Sequence, residues 1–408
     1  MTPRILILTA GFARTAGPGA AEIADAFALA SPRANATARR LYLALINDAP
    51  RLWSRFYDWI DRTSFVQRRL WLFRREISVL AGLLSHQRYD AICCTYPLYG
   101  FFLEELARRS AKTVGGVLRP GSISTDAAAA TTAPHLPPFF NVVTDSISIH
   151  SLWWRSPAAG WFLPNDDSAA VLRRAGIDPG LLQVRGFPVP AFFAEHAATL
   201  SPPDLAARAA PRVLHMINSG TRHAAETARR LLVETDWEIT CAVGRDEKLR
   251  RHLAHLAARR AQPATIIGWT DQVPRLLMTH HVVVSKAGGA TTQEAIAALC
   301  PMVVSQVVPG QEEGNFELLR RHGAGALAET PDAVLAALRA AFADRGQRWR
   351  EWRAALRPLA RPDAADDIAR DVIRAVSAAS RSATPVPFRR EAAAPLPALV
   401  PSLPGPGE

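Results

Sequence analysis

Residues 282–315 read VVVSKAGGATTQEAIAALCPMVVSQVVPGQEEGN. A β-branched strand ends near Ser285. Gly288 and Gly289 turn the chain, and Thr291 and Thr292 are placed to cap a helix that opens on Gln293 and Glu294. Free backbone N–H groups at a helix start, with the helix dipole behind them, attract a phosphate group. The glycine pair lets a ligand approach the backbone with no Cβ in the way, and Lys286 adds a point charge. Glu294, in the first turn, can accept hydrogen bonds from a ribose diol. Gln311, Glu312 and Asn315 open a second helix, where amide and carboxylate groups can bond sugar hydroxyls. A glycine pair alone also makes an ordinary tight turn, and Glu312-Glu313 alone makes a solvated acidic face. The combined pattern is the specific signal.

The elements that must hold these residues follow from the rest of the chain. Runs rich in β-branched residues predict strands at 4–9, 90–95, 112–117, 141–144, 212–217, 238–243, 264–267, 281–285 and 302–306. Helix-like stretches lie between them, at 20–30, 101–109, 224–233, 247–260 and from Thr292. Such alternation argues for α/β architecture, with parallel sheets covered by helices on both faces. The proline-stiffened segment GFPVP at 186–190 divides two such series, giving doubly wound domains at 1–188 and 189–378. A Pro/Ala-rich tail, 379–408, lacks the composition of a core and is expected to be disordered. Ligands of such folds lie beyond the carboxyl ends of the strands, here in the cleft between the domains.

Composition bounds the function. The 408 residues are 49% hydrophobic and 21% charged, which excludes global disorder. No apolar run reaches the ~18 residues of a membrane span. Residues 1–10 read as a first strand rather than a signal peptide, so a cytoplasmic protein is expected. Cys93, Cys94, Cys241 and Cys300 have no metal-ligand spacing. The net charge is +11, and only three of 48 basic residues are lysines. Such a balance means a solvated Arg-rich surface or attraction to something anionic.

With the 282–315 segment the chain resembles the glycosyltransferase family that includes monogalactosyldiacylglycerol synthases, processive diacylglycerol glucosyltransferases and the lipid II-forming N-acetylglucosaminyltransferase. Residues 141–154, NVVTDSISIHSLWW, are similar to the family's strand ending in Thr-Asp followed by His and Trp. Residues 184–190, VRGFPVP, match its Gly-x-Pro hinge, while Val243-Gly244-Arg245 and IGWTD at 267–271 match two loops of its nucleotide pocket. The resemblance implies the GT-B fold, two Rossmann-like domains facing a cleft. It also implies inverting sugar transfer from a UDP donor to a lipid acceptor, with neither catalytic metal nor cofactor. Carried over by position, Glu294 holds the ribose. Lys286, Gly288, Gly289, Ala290 and Thr291 face the diphosphate, Gln311, Glu312 and Asn315 the donor sugar, and Gly244, Arg245, Trp269 and Thr270 the nucleotide.

Three departures stand out. The family's Gly-rich loop after the first strand ends in histidine, the usual general base; the equivalent here is Ala16, in a loop that keeps Gly11, Gly17 and Gly19. The corresponding loop of the second domain, MINSGTR at 216–222, retains one glycine, Gly220, where Ser219 and Thr221 can bond phosphate oxygens or cap a helix. Tyr96-Pro97 stands in place of the family's His-Pro. An inverting transfer still needs a group to take the acceptor proton. Asp145 and His150 are the candidates, with a structural role for His150 the alternative.

Residues 51–75, RLWSRFYDWIDRTSFVQRRLWLFRR, carry seven arginines against two aspartates, a net of +5, interleaved with Trp53, Phe56, Tyr57, Trp59, Phe65, Trp71 and Phe73. That composition suits a helix lying in an anionic membrane surface. It also suits an amphipathic helix packed on its own domain; no nucleic-acid motif accompanies it. The expectation is a UDP-sugar-dependent hexosyltransferase acting on a lipid at the inner face of the cell membrane. The alternatives are a non-catalytic sugar-nucleotide- or lipid-binding protein and a UDP-N-acetylglucosamine 2-epimerase.

Overall fold

The computed structural model describes residues 3–10, 21–115, 136–217, 223–310 and 312–381. The first sheet consists of β1 (Ile5–Leu8), β2 (Ala21–Ala24), β3 (Ala91–Cys94), β4 (Phe139–Val142), β5 (Gly160–Leu163) and β6 (Leu182–Val184). Its order is β2-β1-β3-β4-β5-β6, with every pairing parallel. The second sheet holds β7 (Arg212–Met216), β8 (Glu238–Ala242), β9 (Ala264–Ile267), β10 (Val282–Lys286), β11 (Met302–Gln306) and β12 (Gly325–Leu327). It runs β12-β11-β10-β7-β8-β9, also all parallel. The α/β doubly wound expectation holds in both halves. In the second sheet the strand order reverses between β7 and β10, the position beyond whose carboxyl ends such folds place their ligands.

Both faces of each sheet are covered, so central strands read as unbroken apolar runs. Val282, Val283 and Val284 of β10 are fully buried, and they alternate between two cores. The four cysteines are free and buried in these strands or beside them.

Several elements differ from the sequence expectation. Residues 21–24 form an edge strand on β1 rather than the start of a helix, which is confined to Ala26–Ala30 and capped by Asp25. Their alanines carry no alternation that would mark a strand. The strand expected at 112–117 is absent as far as Gly115, because the helix Leu98–Gly115 runs through it. Strands β5, β6 and β12, of four, three and three residues, carry no run of β-branched residues to mark them.

The helix Ala364–Arg381, assigned by sequence to the second domain, returns to the first. Its Ile368, Val372 and Val376 pack with Ile5, Ala91, Phe140 and Phe162 of the first sheet. The four-residue spacing puts all three on one face. Asp371 on the same helix pairs with Arg185 at 2.5 Å. Gly186 permits the crossing: at φ +102°, a Cβ there would lie 2.5 Å from Arg361 Cβ. The helix carries regular structure to Arg381, past the expected start of the tail at 379; residues 382–408 lie outside the described residues. Among the described residues no helix is long and apolar enough to cross a membrane.

Candidate functional site in the interdomain cleft

The helix after β10 spans Gly289–Ala297, starting earlier than the sequence suggested. Gly288, in extended backbone, occupies the cap position, and among the described residues no side chain caps the helix. Thr292 is buried inside it instead, against Met302. The N–H groups of the first turn are thereby left to a ligand.

Lys286 is not a free charge. Its Nζ lies 2.7 Å from Glu312 Oε1, and Glu312 Oε2 accepts the Val308 N–H at 3.1 Å. Glu312 is buried, so the solvated acidic face is excluded for it, whereas Glu313 is exposed. Asn315 donates from Nδ2 to the Ala287 carbonyl at 3.0 Å, while its Oδ1 is buried with no partner among the described residues. These bonds tie the two helix starts, Gly289–Ala297 and Glu313–His322, into one unit.

Glu294 lies half-buried one turn into the first helix, and among the described residues no donor reaches its carboxyl. Burial pushes its pKa up to about 7. A carboxyl held in that condition has acceptor capacity to offer to hydroxyl groups.

The loops after β8 and β9 lie side by side, a Cβ on Gly268 falling 3.3 Å from the Gly244 carbonyl. Gly244 has φ +61°. Arg245 is exposed, Thr270 Oγ1 accepts the Gln272 N–H at 3.0 Å, and Trp269 is 71% exposed. Ala290 is exposed and Thr291 half-buried. Ser219, Gly220, Thr221, Gln311 and Ala16 lie outside the described residues.

From the first domain, the loop after β4 closes on these helix starts. A Cβ on Gly289 would lie 3.6 Å from the Thr144 carbonyl. Gln293 Nε2 donates to Ser146 Oγ at 2.9 Å. Gly314 comes so near that a Cβ there would lie 1.8 Å from the Ser146 carbonyl oxygen. The residues on both sides of Asp145 therefore touch the second domain, which places Asp145 at the cleft. Asp145 Oδ2 accepts Trp153 Nε1–H at 2.7 Å, and burial raises its pKa to about 6 against the opposing effect of that bond.

His150 is committed to the fold. Its Nδ1 accepts the Leu152 N–H at 3.2 Å. Asp61, which accepts the Ser151 N–H at 2.6 Å, lies 3.3 Å from the same Nδ1. Burial lowers the His150 pKa. With Nδ1 engaged and the ring 7% exposed, the structural alternative describes His150 better than the role of base.

Tyr57 is the residue sequence reasoning misplaced. Its ring meets His150 edge-on at 4.6 Å, and a Cβ on Gly310 of the second domain would lie 3.4 Å from Tyr57 Cδ1. Burial, then the carboxylates led by Asp145, push its phenol well above the usual value. The run it belongs to is rich in aromatics throughout, and no spacing in the sequence singles out Tyr57 as the ring that faces the cleft.

No family model matches the chain. A processive diacylglycerol β-glucosyltransferase of Bacillus subtilis (strain 168) is 20% identical over 327 residues, spanning 79% of this chain and 78% of that protein. An Oryza sativa subsp. japonica protein named "Probable monogalactosyldiacylglycerol synthase 2, chloroplastic" is 28% identical over 214 residues, or 48% of this chain and 44% of that one. The chain resembles the diacylglycerol glycosyltransferases. Among solved structures, the Staphylococcus aureus MnaA–UDP complex aligns with a TM-score of 0.53 at 13% identity, covering 75% of this chain and 81% of its own. A structure assigned as UDP-N-acetylglucosamine 2-epimerase from Listeria monocytogenes gives 0.52 at 12%, covering 77% and 79%. These overlays concern the fold alone, the two-sheet GT-B architecture. In this glycosyltransferase-like frame, the start of the Gly289–Ala297 helix and the loop that carries Asp145 meet at one cleft.

Proposed function

We propose that the chain transfers a hexosyl or N-acetylhexosaminyl group, with inversion, from a UDP-sugar to the hydroxyl of a lipid acceptor. The observation that carries this reading is the pairing of Glu294, a half-buried carboxyl without a partner among the described residues, with the uncapped helix Gly289–Ala297. Glu294 accepts the ribose hydroxyls, and the first-turn N–H groups receive the diphosphate. The Lys286–Glu312 pair shapes the floor, and the second helix start that it holds in place faces the donor sugar.

Asp145 takes the acceptor proton. As the acceptor oxygen bonds to the anomeric carbon, that proton passes to the Asp145 carboxylate and the anomeric C–O bond breaks toward UDP. The helix dipole stabilises the charge gathering on the diphosphate. A base with a pKa of about 6 is largely ionised at neutral pH yet basic enough to share a proton.

The acceptor comes from the side of the 51–75 segment. The segment is a helix, Pro50–Arg62, then short turns, then Arg74–His86, rather than one continuous interfacial helix. Arg55, Arg62, Arg68, Arg69, Arg74 and Arg75 are exposed. Phe56, Trp59, Trp71 and Leu72 are exposed at 45%, 46%, 62% and 46%. A cavity of about 220 Å³ between Trp59, Phe65, Arg68 and Arg69 joins apolar walls to cationic groups, as a lipid headgroup region requires.

The test is UDP release from a panel of UDP-sugars by purified protein with a bacterial lipid extract, followed by mass spectrometry. A lipid gaining one hexose or N-acetylhexosamine mass, dependent on Asp145, is expected. Loss of stereochemistry at C2 of UDP-N-acetylglucosamine without acceptor would establish epimerisation instead. UDP binding without either reaction would establish the non-catalytic alternative.

A further inference from the structure

A second cavity, of about 470 Å³, lies in the second domain away from the cleft, lined by Ser201–Asp204 on one side and by Trp349, Arg350, Arg353 and Arg357 on the other. Its volume falls in the range of small-molecule sites. It adjoins the amino ends of the strands: Pro203 O lies 2.8 Å from His281 Nε2, and Trp349 Nε1 donates to His281 O at 2.7 Å. His281 immediately precedes β10, whose other end is Lys286 in the donor site. About 15 Å of strand therefore separates the two sites.

The three arginines lie three and four residues apart in the last turns of the helix Pro331–Leu356 and just beyond it, on one face. Like charges at that spacing repel. Elsewhere the fold pairs such groups: Arg320 and Arg321 share Glu317, and Arg229 and Arg230 have Glu226 and Glu234. Among the described residues, no carboxylate forms an ion pair with Arg350, Arg353 or Arg357. The lining has one acidic residue, Asp204, whose Oδ1 accepts the Ala206 N–H at 2.9 Å. Among the described residues Arg350 donates only to the Arg345 carbonyl. Arg353 lies 5.6 Å from the Trp349 ring centroid, and its Nε is buried with no partner among the described residues. Burial and the neighbouring Arg357 both disfavour the charge of Arg353.

We infer that this cavity binds a phosphate-bearing anion, with Arg350, Arg353 and Arg357 as its ligands and the Trp349 and proline surfaces as its floor. Guanidinium groups are weakly hydrated, planar, and matched to two phosphate oxygens at once, so one such group relieves the repulsion of all three. The phosphate comes from a soluble phosphorylated molecule or from a lipid headgroup. The site is separate from the donor site and does not depend on the transfer reading.

The experiment titrates full-length protein with inorganic pyrophosphate by calorimetry, with and without saturating UDP, and separately sediments it with phosphatidylglycerol vesicles. The variants are R350Q/R353Q/R357Q and, as a milder change at the exposed rim, R357Q alone. Pyrophosphate binding that survives UDP, falls at least tenfold in the triple variant and about threefold in R357Q identifies a soluble ligand. Vesicle binding that drops in both variants, without pyrophosphate binding, identifies a lipid headgroup. UDP affinity unchanged in R357Q confirms the separation of the sites. Equal pyrophosphate and vesicle binding by wild type and both variants, or no binding of either by wild type, overturns the inference. Failure of wild type to bind UDP would count against the proposed transfer and leave this site untouched.

Discussion

Lys286 Nζ lies 2.7 Å from Glu312 Oε1, joining the end of β10 to the start of the helix Glu313–His322. Their side chains are 21% and 7% exposed, so neither charge is well solvated alone. Removing one partner leaves the other buried and uncompensated, at a cost of about 3 kcal/mol. Chemical unfolding of Lys286→Met should show that loss, and Lys286→Met/Glu312→Gln should recover part of it. A double-mutant cycle should return a coupling of about 1–3 kcal/mol. A coupling near zero would mean that the pair does not hold the two helix starts together.

Glu294 supplies a pH test. Its folded pKa, raised to about 7, exceeds the unfolded value, so the folded state holds its proton more tightly. The stability it contributes is therefore present at low pH and is lost as pH rises through about 7. Glu294→Gln removes the cost of ionising the buried carboxyl. The variant should match wild type at pH 5 and exceed its unfolding free energy by about 1–2 kcal/mol at pH 8, a figure reduced for partial solvent access. Calorimetry should find UDP affinity weakened by about 1–3 kcal/mol in Glu294→Ala. Equal stability of Glu294→Gln and wild type at both pH values would show the carboxyl to be solvated.

Asp145 and His150 separate by their partners. Loss of a general base costs about 10²–10⁴-fold in rate. Asp145→Asn should fall in that range, and the wild-type kcat/KM should rise with pH through about 6, following ionisation of the carboxyl. His150→Ala should act through stability, by about 1–3 kcal/mol, because the Leu152 N–H loses its acceptor. It should keep the same acidic limb of the profile. An acidic limb that disappears in His150→Ala but persists in Asp145→Asn would exchange their roles.

The difference between these two residues marks how far sequence carries. The two sheets were legible because buried parallel strands such as β10 are continuous apolar runs, and the Gly288-Gly289 junction was legible because turn, charge and helix start are adjacent in the chain. Lys286 and Glu312 are 26 residues apart, and nothing in either neighbourhood announces that one neutralises the other. Asp61 and Ser151 are 90 apart, so the engagement of His150 by the Pro50–Arg62 helix had no local signature. Tyr57 was hidden by its company: a helix with exposed Phe56 and Trp59 also turns Tyr57 inward. The return of Ala364–Arg381 to the first domain was unreadable because its apolar stripe fits any sheet.

Gly314 sets the closeness of the domains. Ser146 O and Ser148 N would lie 1.8 and 2.6 Å from a Cβ there, and both belong to backbone. Gly314→Ala must therefore move the loop that carries Asp145. Misplacement of about 1 Å can cost 10²-fold in rate. The variant should lose one to two orders of magnitude in kcat while retaining UDP affinity within about threefold, because Glu294 and the Gly289–Ala297 helix stay in place. A variant with wild-type kcat would show that the Ser146 contact is not needed during turnover.

The exposed half of the 51–75 segment gives the last test, with residues chosen by their exposure. Trp53 is excluded because its ring packs on Tyr42 at 5.0 Å, and Tyr57 because it faces the cleft. Trp59 and Trp71 project, as do Arg68, Arg69, Arg74 and Arg75. Each basic group near an anionic surface contributes about 1 kcal/mol, and salt screens that attraction. Ring insertion is apolar and insensitive to salt. Sedimentation with anionic vesicles should show binding that weakens as salt rises. Changing the four arginines to glutamine should remove the salt-dependent part, and Trp59→Ser/Trp71→Ser the part that survives high salt. Wild-type protein that ignores anionic vesicles at low salt would refute docking through this surface. The acceptor would then have to reach Asp145 from solution, and the 220 Å³ cavity beside Trp59 would lose its assignment to a headgroup.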